Sequence, residues 1–164
     1  DLAAAYYGKA VAYEKLNNLD EAINSMKQAV LTYNNIDYQY ELGRMFFNRA
    51  VTQPNLSQTA TKELTENQVT PGEEATTTEE ISVEPTQPIG AISSRNDDLN
   101  IAEQIFTGIL QANPDYANAR YSLAVLYQKI DEKVKMEEQV KALLGIIIDE
   151  PTRNAIKQQF PGIE

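Results

Sequence analysis

Apolar positions fall at helical spacing along most of the chain, and the breaks between them are short. From Leu2 to Leu16, the residues Leu2, Tyr6, Ala10 and Tyr13 share one side, with Tyr7 and Val11 flanking it. Asn17-Asn18 interrupts the pattern, because Asn tolerates turn conformations. Asp20-Glu21 then places negative charge in a first helical turn, where the helix dipole favours it. Ala22, Ile23, Met26, Ala29 and Val30 form the inner face of this second helix, which runs to about Tyr33 and ends at Asn34-Asn35. A third helix is predicted over Ile36 to Arg49, marked by Tyr40, Leu42, Gly43, Phe46 and Phe47. A Gly inside a helix costs ~1 kcal/mol relative to Ala, so Gly43 predicts close approach by a neighbouring helix.

The pattern resumes at Asp97. Leu99, Ala102, Ile105, Phe106, Ile109 and Leu110 share one face until Asn113-Pro114. Tyr116 to Ile130 and Val134 to Ile148 read as two further helices, separated at Asp131. Pro151 suits a first helical turn, and a last short helix runs from Thr152 to Phe160 before Pro161-Gly162.

Between these helical halves the composition changes. Thr52 to Arg95 holds nine Thr and seven Glu against one Lys and one Arg, with Pro54, Pro71, Pro85 and Pro88 spread through it. Such a composition buries too little apolar surface to offset its ordering entropy. Within it, Ile81-Ser82-Val83-Glu84 alternates apolar and polar, as a short added strand would.

Spacing relates the halves. Small residues recur at Ala10, Gly43 and Ala124, each followed three positions later by an aromatic: Tyr13, Phe46 and Tyr127. Ala22 lies twelve residues after Ala10, and Met136 twelve after Ala124, whereas Ala102 lies fifty-nine after Gly43. Removing forty-seven residues restores the spacing, so the acidic stretch interrupts the turn of the second unit. This pattern resembles the tetratricopeptide repeat, a helix–turn–helix unit of about 34 residues. The matching positions are Tyr6, Ala10, Tyr13, Ala22, Met26 and Ala29; then Leu42, Gly43, Phe46, Ala102, Phe106, Ile109 and Pro114; then Leu123, Ala124, Tyr127, Met136, Val140 and Leu143. Three positions depart from the family pattern: Lys9 for Leu, Asn34 for Pro, and Met136 for Ala. The larger Met136 leads us to expect a more open last pair. The expected architecture is an all-α tetratricopeptide-like solenoid in one domain, 1–164. Its repeats are 2–34, 35–50 plus 97–114, and 115–148, with an insert at 51–96 and a terminal helix at 151–160.

Cys and His are absent and the net charge is −10. Thiolate and imidazole chemistry are thereby removed, and with them the usual zinc ligands. We expect no catalysis, cofactor or metal. An acidic chain without clustered Lys and Arg is a poor partner for nucleic acid, and no run of about 18 apolar residues predicts a membrane span. No basic segment followed by an apolar stretch marks a signal peptide. The Thr/Glu/Pro-rich insert and the missing Cys lean toward a bacterial cell-surface or secreted setting.

The resemblance implies a protein–protein interaction role, in one of two forms. The first helices of successive units would line a concave groove at Tyr7, Val11 and Glu14; Tyr40, Arg44, Phe47 and Asn48; Tyr121, Val125 and Gln128. Tyr7, Tyr40 and Tyr121 hold one equivalent position, a ladder of rings suited to an extended peptide. The leading form, to which groove binding is the alternative, is self-association: uncapped solenoid ends would stack copies head to tail into a ring or filament. Leu2 and Tyr6 would form the front, Leu144, Ile147, Ile148, Ile156 and Phe160 the back, and Ile81 and Val83 would anchor the insert on a neighbour. The front would equally suit an upstream repeat of a longer protein.

Overall fold

A computed structural model describes residues 1–52 and 95–163. Among the described residues there are seven helices: α1 (Leu2–Lys15), α2 (Leu19–Thr32), α3 (Ile36–Thr52), α4 (Arg95–Ala112), α5 (Ala117–Lys129), α6 (Lys133–Ile146) and α7 (Glu150–Gln159). They pack as sequential antiparallel pairs, α1–α2, α3–α4 and α5–α6, with α7 on α6. Second helices also meet the next first helix, α2 on α3 and α4 on α5, and α3 touches α5 directly. That is the all-α, tetratricopeptide-like arrangement expected from the spacing. Ile81, Val83 and the body of the insert lie outside the described residues.

The small residues at the repeated position are where helices come closest. Ala10 and Ala124 are fully buried. At Gly43 an added Cβ would stand 2.8 Å from Phe106 Cε1 and 3.0 Å from Ile105 Cγ2. The residue that fills the space is on α4, beyond the insert, so the second unit is assembled across it. Ala10, Ala22, Ile23, Met26, Met45, Phe46, Phe106, Ile109 and Leu123 belong to one continuous core.

The turns of the outer units share a construction. Asn17 and Asp131, at equivalent places, adopt left-handed backbone (φ 56 and 60). The next amide reaches back to the carbonyl of the repeat aromatic, Asn18 to Tyr13 and Glu132 to Tyr127, both at 2.9 Å. This six-to-one bond closes a helix end in a Schellman turn. In the second unit α3 runs on through buried Ala50, which stands where Asn17 and Asp131 stand, and continues to Thr52. The two helices flanking the insert thus reach slightly further into it than the pattern predicts.

A second core lies at the far end, made of Ala124, Val140, Leu143, Leu144, Ile156, Phe160 and Ile163. Met136 is half-buried and packs against both cores. Asp149 caps α7, accepting from the Thr152 amide at 2.9 Å and hydroxyl at 2.5 Å, and these donors hold its carboxyl below the usual range. Arg153 donates to the carbonyls of Leu144 and Ile147, binding α7 to the end of α6.

Candidate functional site

The first helices α1, α3 and α5 carry the predicted groove residues, and side chains join them pairwise. Tyr7 on α1 stacks on Tyr38 of α3, with centroids 5.3 Å apart and planes 20° apart. Tyr40 meets Phe106 and Tyr116, each at 5.8 Å, and its hydroxyl lies 3.3 Å from Ser122 Oγ of α5. Tyr116 donates to Asp37 Oδ1 at 2.8 Å. Burial and that carboxylate push the Tyr116 hydroxyl up to about 12. Together Tyr7, Asp37, Tyr38, Tyr40, Glu41, Tyr116 and Asn118 enclose a cleft of about 270 Å³.

Glu14, Arg44 and Asn48 form an ion-paired tie beside it. Arg44 donates to both Glu14 oxygens at 2.8 and 2.7 Å and to Glu41 Oε2 at 2.8 Å, and Asn48 adds a bond to Glu14 at 3.2 Å. Hydrogen bonding from Arg44 holds the Glu14 carboxyl below the usual range, against the opposing effect of burial. The same tie raises the Arg44 guanidinium, Glu14 contributing most. Arg44 is therefore committed within the chain.

The tyrosine ladder divides. Tyr7 and Tyr40 share the cleft just described, while Tyr121 donates to Gln159 Oε1 at 2.7 Å and meets Phe160 edge-on at 6.2 Å. Tyr121 lines a separate cavity of about 250 Å³ between α5 and α7. Gln128 donates to the Gln159 carbonyl at 3.5 Å. Phe47 packs against the first core and Val125 against the second, and Val11 is half-buried.

The residues expected at the solenoid ends separate in the same way. Leu2 and Ile148 are 61% and 94% exposed. Tyr6 and Ile147 are half-buried against the two cores. Leu144, Ile156 and Phe160 are at most 6% exposed; the expectation of an open apolar back at these three is corrected, because α7 folds over α6 and turns them inward.

One constellation escaped the sequence reading, which took Asp97 as the point where the helical pattern resumes. Asp98 is 1% exposed. Arg49 Nε and Nη2 donate to its two oxygens at 2.7 and 2.6 Å, and Nη1 donates to Asp20 at 2.6 Å. The Phe46 ring lies 5.4 Å from the guanidinium. These bonds raise the Arg49 pKa, Asp98 contributing most. The available signal was positional: Arg49 stands where the outer units carry Leu16 and Ile130, and Asp98 where the first carries the capping Asn18.

Among the described residues no group of acidic side chains is arranged to hold a metal ion, and no helix is long and apolar enough to cross a membrane. Residues 3–35 match the tetratricopeptide repeat family. The pair α1–α2 is thus a repeat of that kind, and α3–α4 and α5–α6 are packed like it. No curated protein matches the chain. The repeat points to a role in protein–protein interaction, and its family is generally non-catalytic.

Proposed function

We propose that the protein binds an extended segment of another protein along the face shared by α1, α3 and α5. The observation that carries this is the tyrosine-walled cleft between those helices, which the packing of the described residues leaves unfilled. Tyr supplies large contact area together with a polar tip, which suits it to recognising peptides. The cleft lies between successive first helices, so a bound strand would touch more than one unit. Selection from a random dodecapeptide display library, followed by chemical-shift mapping of the selected peptides, tests the proposal. Shifts at Tyr7, Tyr38, Tyr40 and Tyr116 are expected. A selection without binders, or binders that map to α2, α4 and α6, would overturn it.

A second reading, end-to-end association, keeps some support from the exposure of Leu2 and Ile148. Among the described residues it is reduced to Leu2, Tyr6, Ile147 and Ile148, since Leu144, Ile156 and Phe160 are internal. Light scattering across a wide concentration range decides it. A monomer mass throughout removes the ring and the filament.

A further inference from the structure

We infer that the cleft is a seat for one arginine side chain of the bound segment. This rests on the peptide-binding proposal and names the chemistry that site selects. The cleft is slightly smaller than the ~300–1,000 Å³ of ordinary small-molecule sites, at about 270 Å³, which suits one side chain. Its walls are aromatic: the stacked pair Tyr7–Tyr38 and the tilted pair Tyr40–Tyr116. Its charged lining residues are both acidic, Asp37 and Glu41, one helical turn apart on α3. The Asp37 carboxylate is held by a neutral donor, the Tyr116 hydroxyl, so its charge remains in place. Arg44 lies three residues beyond Glu41, but its guanidinium is engaged by Glu14 and Glu41 and does not line the cleft.

A planar cation satisfies both features. Guanidinium stacks on aromatic faces and accepts a carboxylate in its fork, whereas an ammonium offers a strongly hydrated point charge. An acidic side chain would meet Asp37 with like charge, while Glu41 is already paired with Arg44. The chain already sets cations over rings elsewhere, with Lys9 over Tyr13 at 5.5 Å and Lys135 over Tyr127 at 5.3 Å.

The test uses dodecapeptides selected on the wild-type chain. Arginine should be enriched at one position of the binders. In a synthetic copy of a selected peptide, replacing that arginine by citrulline keeps the shape and removes the charge. Calorimetry should show at least a tenfold loss of affinity. The Asp37→Asn variant should lose the same factor for the arginine peptide and nothing for the citrulline peptide. Tyr116→Phe removes the hydrogen bond but keeps the Asp37 charge, and should retain a preference for arginine. Binders that map to the cleft without arginine enrichment, or that tolerate citrulline, overturn the arginine seat while leaving peptide binding intact. The absence of any binder at the cleft overturns both. Asp37 is exposed, and unchanged circular dichroism of Asp37→Asn checks that the fold survives.

Discussion

Replacing Asp98 by Ala should destabilise the protein by breaking a buried ion pair from one side. Asp98 takes two hydrogen bonds from Arg49, at 2.7 and 2.6 Å, in a site where the two side chains are 2% and 10% exposed. Removing the carboxylate leaves Arg49 buried and charged, because a guanidinium does not deprotonate in a protein. Breaking a buried pair from one side costs about 3–5 kcal/mol. Asp20 still accepts from Nη1, but it is 68% exposed and shares its charge with water. The expected cost therefore sits near the lower end, about 3 kcal/mol. For a fold of this size, at about 4 °C per kcal/mol, that lowers Tm by roughly 12 °C.

Thermal melting by circular dichroism reads the loss, and a cycle with Arg49→Met isolates its cause. If the penalty is an orphaned charge, the double variant Arg49→Met with Asp98→Leu should recover most of the stability. Asp20→Ala should cost under about 1 kcal/mol, as an exposed pair does. A melt of Asp98→Ala within about 2 °C of wild type would refute the reasoning, and so would a double variant no more stable than the single one.

Three further outcomes follow from the geometry. Gly43→Ala gains about 1 kcal/mol of helix propensity but overpacks against Phe106, for a net loss of about 1–2 kcal/mol; Gly8→Ala and Gly108→Ala, with nothing within 4 Å, should instead stabilise by up to about 1 kcal/mol in urea titrations. Asn17→Gly and Asp131→Gly should each raise stability by a few tenths of a kcal/mol up to about 1, through relief of left-handed backbone, and the gains should add because the turns are far apart. Tyr116 holds its proton more tightly folded than unfolded, so its contribution is complete below the ordinary value of 10.0 and is lost as pH rises through about 12; Tyr116→Phe should flatten stability between those pH values and remove a late step from the near-ultraviolet tyrosine titration.

The helices were legible because each of them buries one periodic face, and the interruption was legible because the spacing returns once forty-seven residues are removed. Phe106 against Gly43 is the physical counterpart of that arithmetic. The terminal helix was legible as an element, but its place was not. Leu144, Ile156 and Phe160 are apolar whether they face another copy or α7, so composition alone could not choose. At the site, the register of Tyr7, Tyr40 and Tyr121 was readable, and the contacts were not. Tyr38 and Tyr116 fall outside that register, yet they complete the cleft through a stack and a hydrogen bond between different helices. Arg44 read as a groove cation until its partners on two helices were known.

Energetics explains why the chain can be opened at this turn. In the outer units a left-handed residue and a six-to-one hydrogen bond carry the chain from first to second helix within about three residues. In the second unit the described helices end at Thr52 and resume at Arg95, so the connection holds 42 residues, 53–94. Closure cost grows as (3/2)RT ln n, about 0.6 kcal/mol per doubling, so going from a three-residue turn to this one costs roughly 2–2.5 kcal/mol. At Ala50 the helix continues where the outer units close with a six-to-one bond. What stands in its place is the Arg49–Asp98 pair, located at the last turn of α3 and the first turn of α4, with Phe106 seated on Gly43 below it. The pair joins the two helix ends directly, and in the folded protein neither partner can be removed without leaving the other buried and uncompensated. Arg49 also reaches Asp20 of the preceding unit, so the same guanidinium aligns α3 against α2. Arg49 shares α3 with Tyr38 and Tyr40, which meet Tyr7 and Tyr116, so loosening the latch should disturb the cleft as well.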